Sequence, residues 1–206
     1  MGSPTIVIIV ITCIVSFIGF NNAKVIDDLI FWPPGITNRR QYYRFITCGL
    51  IHADYIHLAF NMLTLFFFGK FMEQYYLAIL GLPQYYYIAL YIGALAVSNI
   101  PSYFKHKNDY NYRSLGASGA VSAVLFAFIL LKPWVTIYVF FIPVPAIIYA
   151  VIFLAYSVYM SRRGGDYINH DAHFYGALFG IIFTIIARPE VVGNFLTELS
   201  HPHFNL

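Results

Sequence analysis

Apolar positions in this chain fall in long blocks rather than in the short periods of a water-soluble fold. The blocks run over about 5–20, 55–72, 83–104, 114–131, 134–160 and 172–187. At about 20 residues per membrane-crossing helix, each is a span, and six spans take roughly 120 residues. The remainder of the 206 residues suffices for loops and tails but not for a separate soluble domain. The first block has signal-peptide length. It lacks a basic leader and a small-x-small site before Lys24, so it reads as a short first helix. The fifth is interrupted by Pro143 and Pro145.

Charges and helix breakers collect between the blocks. Residues 21–54 hold Asp27, Asp28, Pro33-Pro34-Gly35 and Arg39-Arg40, which exclude a span there. Leu29, Ile30, Phe31, Trp32, Tyr42, Tyr43 and Phe45 lie in the same stretch, which predicts an aromatic-rich loop in the membrane interface. Lys105-His106-Lys107-Asn108-Asp109 and Arg162-Arg163-Gly164-Gly165-Asp166 form two further turns. The pattern predicts an all-α membrane protein, one six-helix domain over 1–206.

Composition agrees. Residues of the hydrophobic set make up 60% of the chain and charged residues only 10%, against about 25% charged in soluble domains. Cys13 and Cys48 form neither a disulfide framework nor a CxxC pair. The net charge is +3, with basic residues scattered among apolar runs, which points to a lipid bilayer and away from nucleic acid.

Six spans impose a parity: the starts of the second, fourth and sixth lie on one side of the membrane. Those starts carry His57, Ser118 and His173, so three chemically capable side chains converge at one depth. Polar residues inside spans are costly and mark functional sites by default. Gly116-Ala117-Ser118-Gly119 opens the fourth span, and Gly119, Ala123 and Ala127 continue a small-residue stripe that alone speaks for helix packing. Ser118 also falls in the first turn of a helix, where backbone N–H groups lack intrahelical acceptors and can stabilise an oxyanion. Ala172-His173 opens the sixth span, followed by Gly176, Gly180 and Thr184. Two such stripes allow close approach, and a histidine beside a serine is a candidate general base. His57 and Asn61, at i and i+4, share a helix face; they read as an interhelical hydrogen-bonding pair or as oxyanion donors. His52 reads as a structural or interfacial loop residue. His201 and His203 read as solvated, and Phe66-Phe67-Phe68 and tyrosines 85–87 as lipid-facing or interfacial. There is no HExxH for a zinc site and no GxGD, and neither a metal nor another cofactor is called for.

Taken together, these pieces resemble the rhomboid intramembrane serine proteases. Tyr43-Arg44, the stretch from His52 through His57 to Asn61, Gly116-Ala117-Ser118-Gly119, and Ala172-His173 with Gly176 and Gly180 carry the resemblance, in order and on the second, fourth and sixth spans. It implies a rhomboid-like six-helix bundle with Ser118 as nucleophile and His173 as base, a dyad without a third acid. His57, Asn61 and the Ser118 N–H would form the oxyanion hole, and the substrates would be membrane-anchored proteins cleaved in or near a transmembrane segment. This chain departs from the family pattern twice. Tyr43 stands where a Trp is common, and Ser122 where some members stack an aromatic on the histidine.

The resemblance also implies a plasma-membrane protein with its N-terminus inside and its site opening outward. The Lys/Arg distribution argues for the reverse. Lys24, Arg39, Arg40, Arg44, Lys105, Lys107, Arg113, Arg162 and Arg163 lie on the site's side, and only Lys70, Lys132 and Arg188 opposite. Two other readings compete with the protease. One is a non-catalytic rhomboid-like protein that binds transmembrane helices. The other is a small transporter or channel, for which intramembrane carboxylates are scarce.

Overall fold

The computed structural model describes residues 2–139, 141–164 and 168–202. Gly165, Asp166 and His203, singled out above, lie outside them.

Helix α1 (Pro4–Phe20) begins at a well-built cap: the Ser3 hydroxyl accepts the Ile6 N–H and Pro4 takes a first-turn position. Glu73 completes it from another helix. Its carboxylate accepts the Ser3 hydroxyl at 2.7 Å and the Thr5 N–H at 3.2 Å, a negative charge on the positive end of a helix dipole.

The segment expected as a loop is a run of short helices: α2 (Ala23–Leu29), α3 (Pro33–Arg39), α4 (Arg44–Thr47) and a 3₁₀ turn, Cys48–Leu50. Arg44 holds it together. The side chain is buried, and its Nη1 donates to the carbonyls of Asp27 (2.8 Å) and Ile30 (2.7 Å), its Nε to Gln41 Oε1 (2.8 Å). A buried guanidinium requires such partners. Phe31 and Ile36 pack inward with Cys48 as a small second core, whereas Tyr42 and Tyr43 stay exposed. The aromatic residues of this segment therefore divide between core and surface.

Helix α5 (Tyr55–Thr64) runs through a π-helical segment, Leu65–Gly69, into α6 (Lys70–Ala78). Phe66 and Phe67 point outward. In α7 (Tyr85–His106), Tyr85 is exposed but Tyr87 is fully buried, its hydroxyl accepting from Thr5 Oγ1 at 3.0 Å. That corrects the lipid-facing reading of the third tyrosine; a hydrogen-bond partner makes its burial tolerable. Helix α8 (Ser118–Leu131) is the centre of the molecule, buried at every position from Gly119 to Leu131.

The expected fifth span, 134–160, is corrected too. Its first part is an antiparallel hairpin, β1 (Thr136–Val139) with β2 (Ile142–Pro145), and the helix, α9, covers Ala146–Arg163. Pro143 and Pro145 lack the N–H donors a helix needs, and Pro145 sits at the boundary where α9 starts. Helices α10 (His170–Ala187) and α11 (Glu190–Ser200) complete the chain, and Trp134 Nε1 ties α11 down through the Glu198 carbonyl at 2.8 Å.

Among the described residues, the α5–α6 rod (Tyr55–Ala78), α7 and α10 are long and apolar enough to cross a membrane; α1 and α8 are shorter apolar helices. The fold is an all-α membrane bundle with one small hairpin. Its tightest seam joins α8 to α10. A Cβ on Gly176 would overlap the Gly119 carbonyl, and one on Gly180 the Ala123 carbonyl. The two small-residue stripes therefore meet backbone to backbone.

Candidate active site

The α8–α10 seam brings the ends of both helices together at one side of the bundle. There His173 Nε2 lies 2.8 Å from Ser118 Oγ. Asn169 sets the histidine's helix. Its Oδ1 caps α10 through the Ala172 N–H (3.0 Å) and accepts from Ser102 Oγ of α7 (2.9 Å). Its Nδ2 reaches Ser114 Oγ (3.3 Å) and Asn99 Oδ1 (3.4 Å), so one amide joins α7, α10 and the approach to Ser118.

That approach, residues 114–117, is pinned along its length. Ser114 and Phe31 exchange backbone hydrogen bonds at 3.0 and 3.1 Å, and the Gly116 N–H donates to the Cys48 carbonyl at 2.9 Å. Gly116 has φ +111°, a conformation that glycine alone adopts without strain. A Cβ there would also stand 2.6 Å from His57 Cε1, so glycine leaves space for the imidazole beside the serine.

His57 lies on α5 with Asn61 one turn on, as the spacing predicts. Asn61 is buried and its Nδ2 donates to the His57 carbonyl at 3.1 Å. Both line a cavity of about 790 Å³ together with Ser118 and His173. All four candidate residues thus face one space, which also reaches Arg113 and Asp54. The arrangement offers a hydroxyl paired with an imidazole, two polar side chains across from it, and a helix first turn beside it. Among the described residues no group of three or more His, Cys, Asp or Glu side chains is placed to hold a metal ion.

Three contributors were not identified as such from the sequence. His52, read as a loop residue, is buried beneath the site. Ser16 Oγ donates to the Leu50 carbonyl at 2.9 Å and therefore accepts from His52 Nδ1 at 3.0 Å. The His52 Nε2 lone pair is then left for the Ala117 N–H at 3.4 Å. Burial, reinforced by the neighbouring His57 and opposed by Asp54, pushes the His52 imidazole down to about 3, which keeps it neutral as this network requires. Asn169 and Phe153 are the others; Phe153 of α9 lines the cavity and lies against the His173 ring. Their signals are faint in one dimension, because His52 and Phe153 act on residues distant in sequence, as do the Asn169 contacts to α7 and Ser114. The caps alone had a local cue, Asn169 standing just before an apolar block.

Arg113, which also lines the cavity, pairs with Asp27 at 2.6 Å, and Lys105 pairs with Asp171 in the first turn of α10 at 3.2 Å. Asp171 also accepts from Ser161 of α9. These contacts link the short-helix segment to the approach to Ser118, and α7 and α9 to the first turn of α10.

Comparison with known proteins agrees with this architecture. A family model described as the Rhomboid domain matches residues 39–190. "RHOMBOID-like protein 12, mitochondrial" of Arabidopsis thaliana is 32% identical over 66% of this chain and 44% of its own length. "Putative rhomboid protease YdcA" of Bacillus subtilis (strain 168) is 32% identical over 46% of this chain and 43% of its own. "Presenilin-associated rhomboid-like protein, mitochondrial" of Mus musculus is 34% identical over 63% and 34%. The chain thus spans less than half the length of these curated relatives. The matched region takes in α4 to α10, with all four cavity-facing candidates, and the chain belongs to the rhomboid family.

Proposed function

We propose that this protein is an intramembrane serine endopeptidase, cleaving membrane-anchored proteins in or near a transmembrane segment. The observation that carries the reading is the 2.8 Å contact between His173 Nε2 and Ser118 Oγ, both of which line one cavity with His57 and Asn61. Ser118 Oγ attacks the scissile carbonyl while the neutral His173 imidazole takes its proton. His57, Asn61 and the Ser118 N–H in the first turn of α8 receive the oxyanion. His173 then protonates the leaving amine, and a water, activated by the same imidazole, hydrolyses the acyl-enzyme. A helical substrate must unwind locally first, because its carbonyls are bound within the helix. In this reading α1, α5–α6, α7, α8, α9 and α10 are the six spans. A fluorophosphonate probe in detergent tests it: wild type becomes labelled and Ser118→Ala does not. Equal labelling of both, or none of either, removes the serine chemistry.

The second reading, a non-catalytic rhomboid-like protein that holds transmembrane helices, draws on two relatives whose names say "rhomboid-like" without naming a protease. The intact serine–histidine contact favours the enzyme. Those same names place these two relatives in mitochondria, which does not support the plasma membrane expected from the sequence; the reading here is of an integral membrane protein.

A further inference from the structure

We infer that Phe153 is a positioning residue, one that holds the His173 imidazole on Ser118 from a third helix. The inference rests on the reading of Ser118 and His173 as the reacting pair. The Phe153 ring lies 5.9 Å from the His173 ring at 24°, close to parallel and within the range of aromatic pairs. His170 meets the same imidazole edge-on, at 5.7 Å and 78°. Phe153 is itself held: Phe126 of α8 and Tyr149 of α9 stand 5.5 and 5.6 Å from it.

The order of side chains on α8 explains why the platform comes from α9. Ser118, Ser122 and Phe126 follow one another at i, i+4 and i+8, on one face of the helix. Ser122, the position next to the nucleophile, lines the cavity with only a hydroxymethyl group. The large side chain stands a turn further on, where it backs Phe153 instead of the imidazole. A flat ring on the imidazole face restricts the rotation that would carry Nε2 away from Ser118, and small misplacements of a reacting group are costly.

The test uses the full chain in detergent, with a small fluorophosphonate as probe and a transmembrane substrate in parallel. Phe153→Leu keeps apolar volume and loses the flat face, whereas Phe153→Tyr keeps both. Leu is expected to lower the labelling rate and kcat by roughly 10- to 100-fold, with KM and Tm close to wild type and Tyr. Ile152→Ala, on the exposed side of α9, is expected to change none of these. Wild-type labelling rates for Leu, or a change confined to KM, would show that Phe153 only shapes the substrate cavity and would overturn the inference. Equal losses in Leu and Tyr that follow Tm would reduce it to a packing residue and overturn it as well. Failure of wild type to label overturns the underlying reading instead.

Discussion

His57 and Asn61 stand one turn apart on α5, facing the same cavity as Ser118 and His173. Donors aimed at developing charge act mainly in the transition state, and losing one costs about 100- to 1,000-fold in kcat, or roughly 3–4 kcal/mol. Asn61→Ala and His57→Ala should each lower kcat on that scale, leave KM near wild type, and still label slowly with a fluorophosphonate. His173→Ala should lose labelling almost entirely. If both α5 variants cleave at the wild-type rate, their polar pair serves packing only. His52 makes a different prediction. Its native imidazole sits at about 3, below the ordinary value near 6.5, so the unfolded chain binds the extra proton between those two pH values. The stabilisation is therefore complete above about pH 6.5 and is lost as pH falls toward 3, by about 2 kcal/mol between pH 7 and 5. His52→Gln keeps a hydrogen-bonding side chain without titrating. Its Tm should fall less than that of wild type between pH 7 and 5, and parallel falls would show that His52 does not titrate in this way.

Helices α8 and α10 bring Ser118 and His173 together across a seam in which their backbones touch. Gly180→Ala would set a methyl group into the Ala123 carbonyl, and the seam must open. Overpacking of this kind costs about 1–3 kcal/mol, and because the seam leads to the Ser118–His173 contact, probe labelling should fall with Tm. Gly193 in α11 has open space around its missing Cβ, so Gly193→Ala should hold or raise stability, by up to about 1 kcal/mol, and Tm with it. Equal Tm for both variants would mean that α8 and α10 have room to spare. Both stripes were readable in the sequence, since small residues at four-residue spacing have few other uses in a membrane helix. The hairpin was not. Block 134–160 is apolar throughout, and only the β-branched Thr136-Ile137 and the two prolines hinted that its first part would pair as strands. The run of helices in 21–54 was equally hidden. Those helices are short, and Arg44, buried under three hydrogen-bonded partners, organises them through contacts that spacing does not encode. For the site, the sequence supplied the four cavity-facing residues, but the Ser16–His52–Ala117 relay and the Phe153 platform exist only once α1 and α9 have folded against α8 and α10.

At the scale of the whole molecule, the ion pairs Arg113–Asp27 and Lys105–Asp171 gather at the end of the bundle that carries Ser118 and His173, and α10 runs from that end toward Arg188 and α11. If α8 crosses away from this end and α9 returns to it, residues 107 and 162 share one side of the membrane and residue 190 lies on the other. Lys107 follows α7, Arg162 lies in the last turn of α9 and Glu190 opens α11; all three are exposed, and cysteines there report sidedness with small expected effects on packing. Lys107→Cys, Arg162→Cys and Glu190→Cys, each in intact vesicles, are to be treated with a membrane-impermeant thiol reagent. Cys48 is buried and Cys13 half-buried, so background labelling should be low. Positions 107 and 162 should label from the same face and 190 only from the opposite one. Labelling of 107 and 162 from different faces would remove either α8 or α9 as a span and with it the parity that aligns His57, Ser118 and His173. The face itself decides between two opposed signals. The family orientation expects 107 and 162 to react from outside, whereas nine Lys/Arg on that end against three on the other expect the inside. Arg44 belongs to the nine but is buried against backbone carbonyls once folded, so its place in the sequence serves the fold and is not free to follow topology. The expected outcome is labelling of 107 and 162 from outside; labelling from inside would reverse the orientation and leave the six-span count intact.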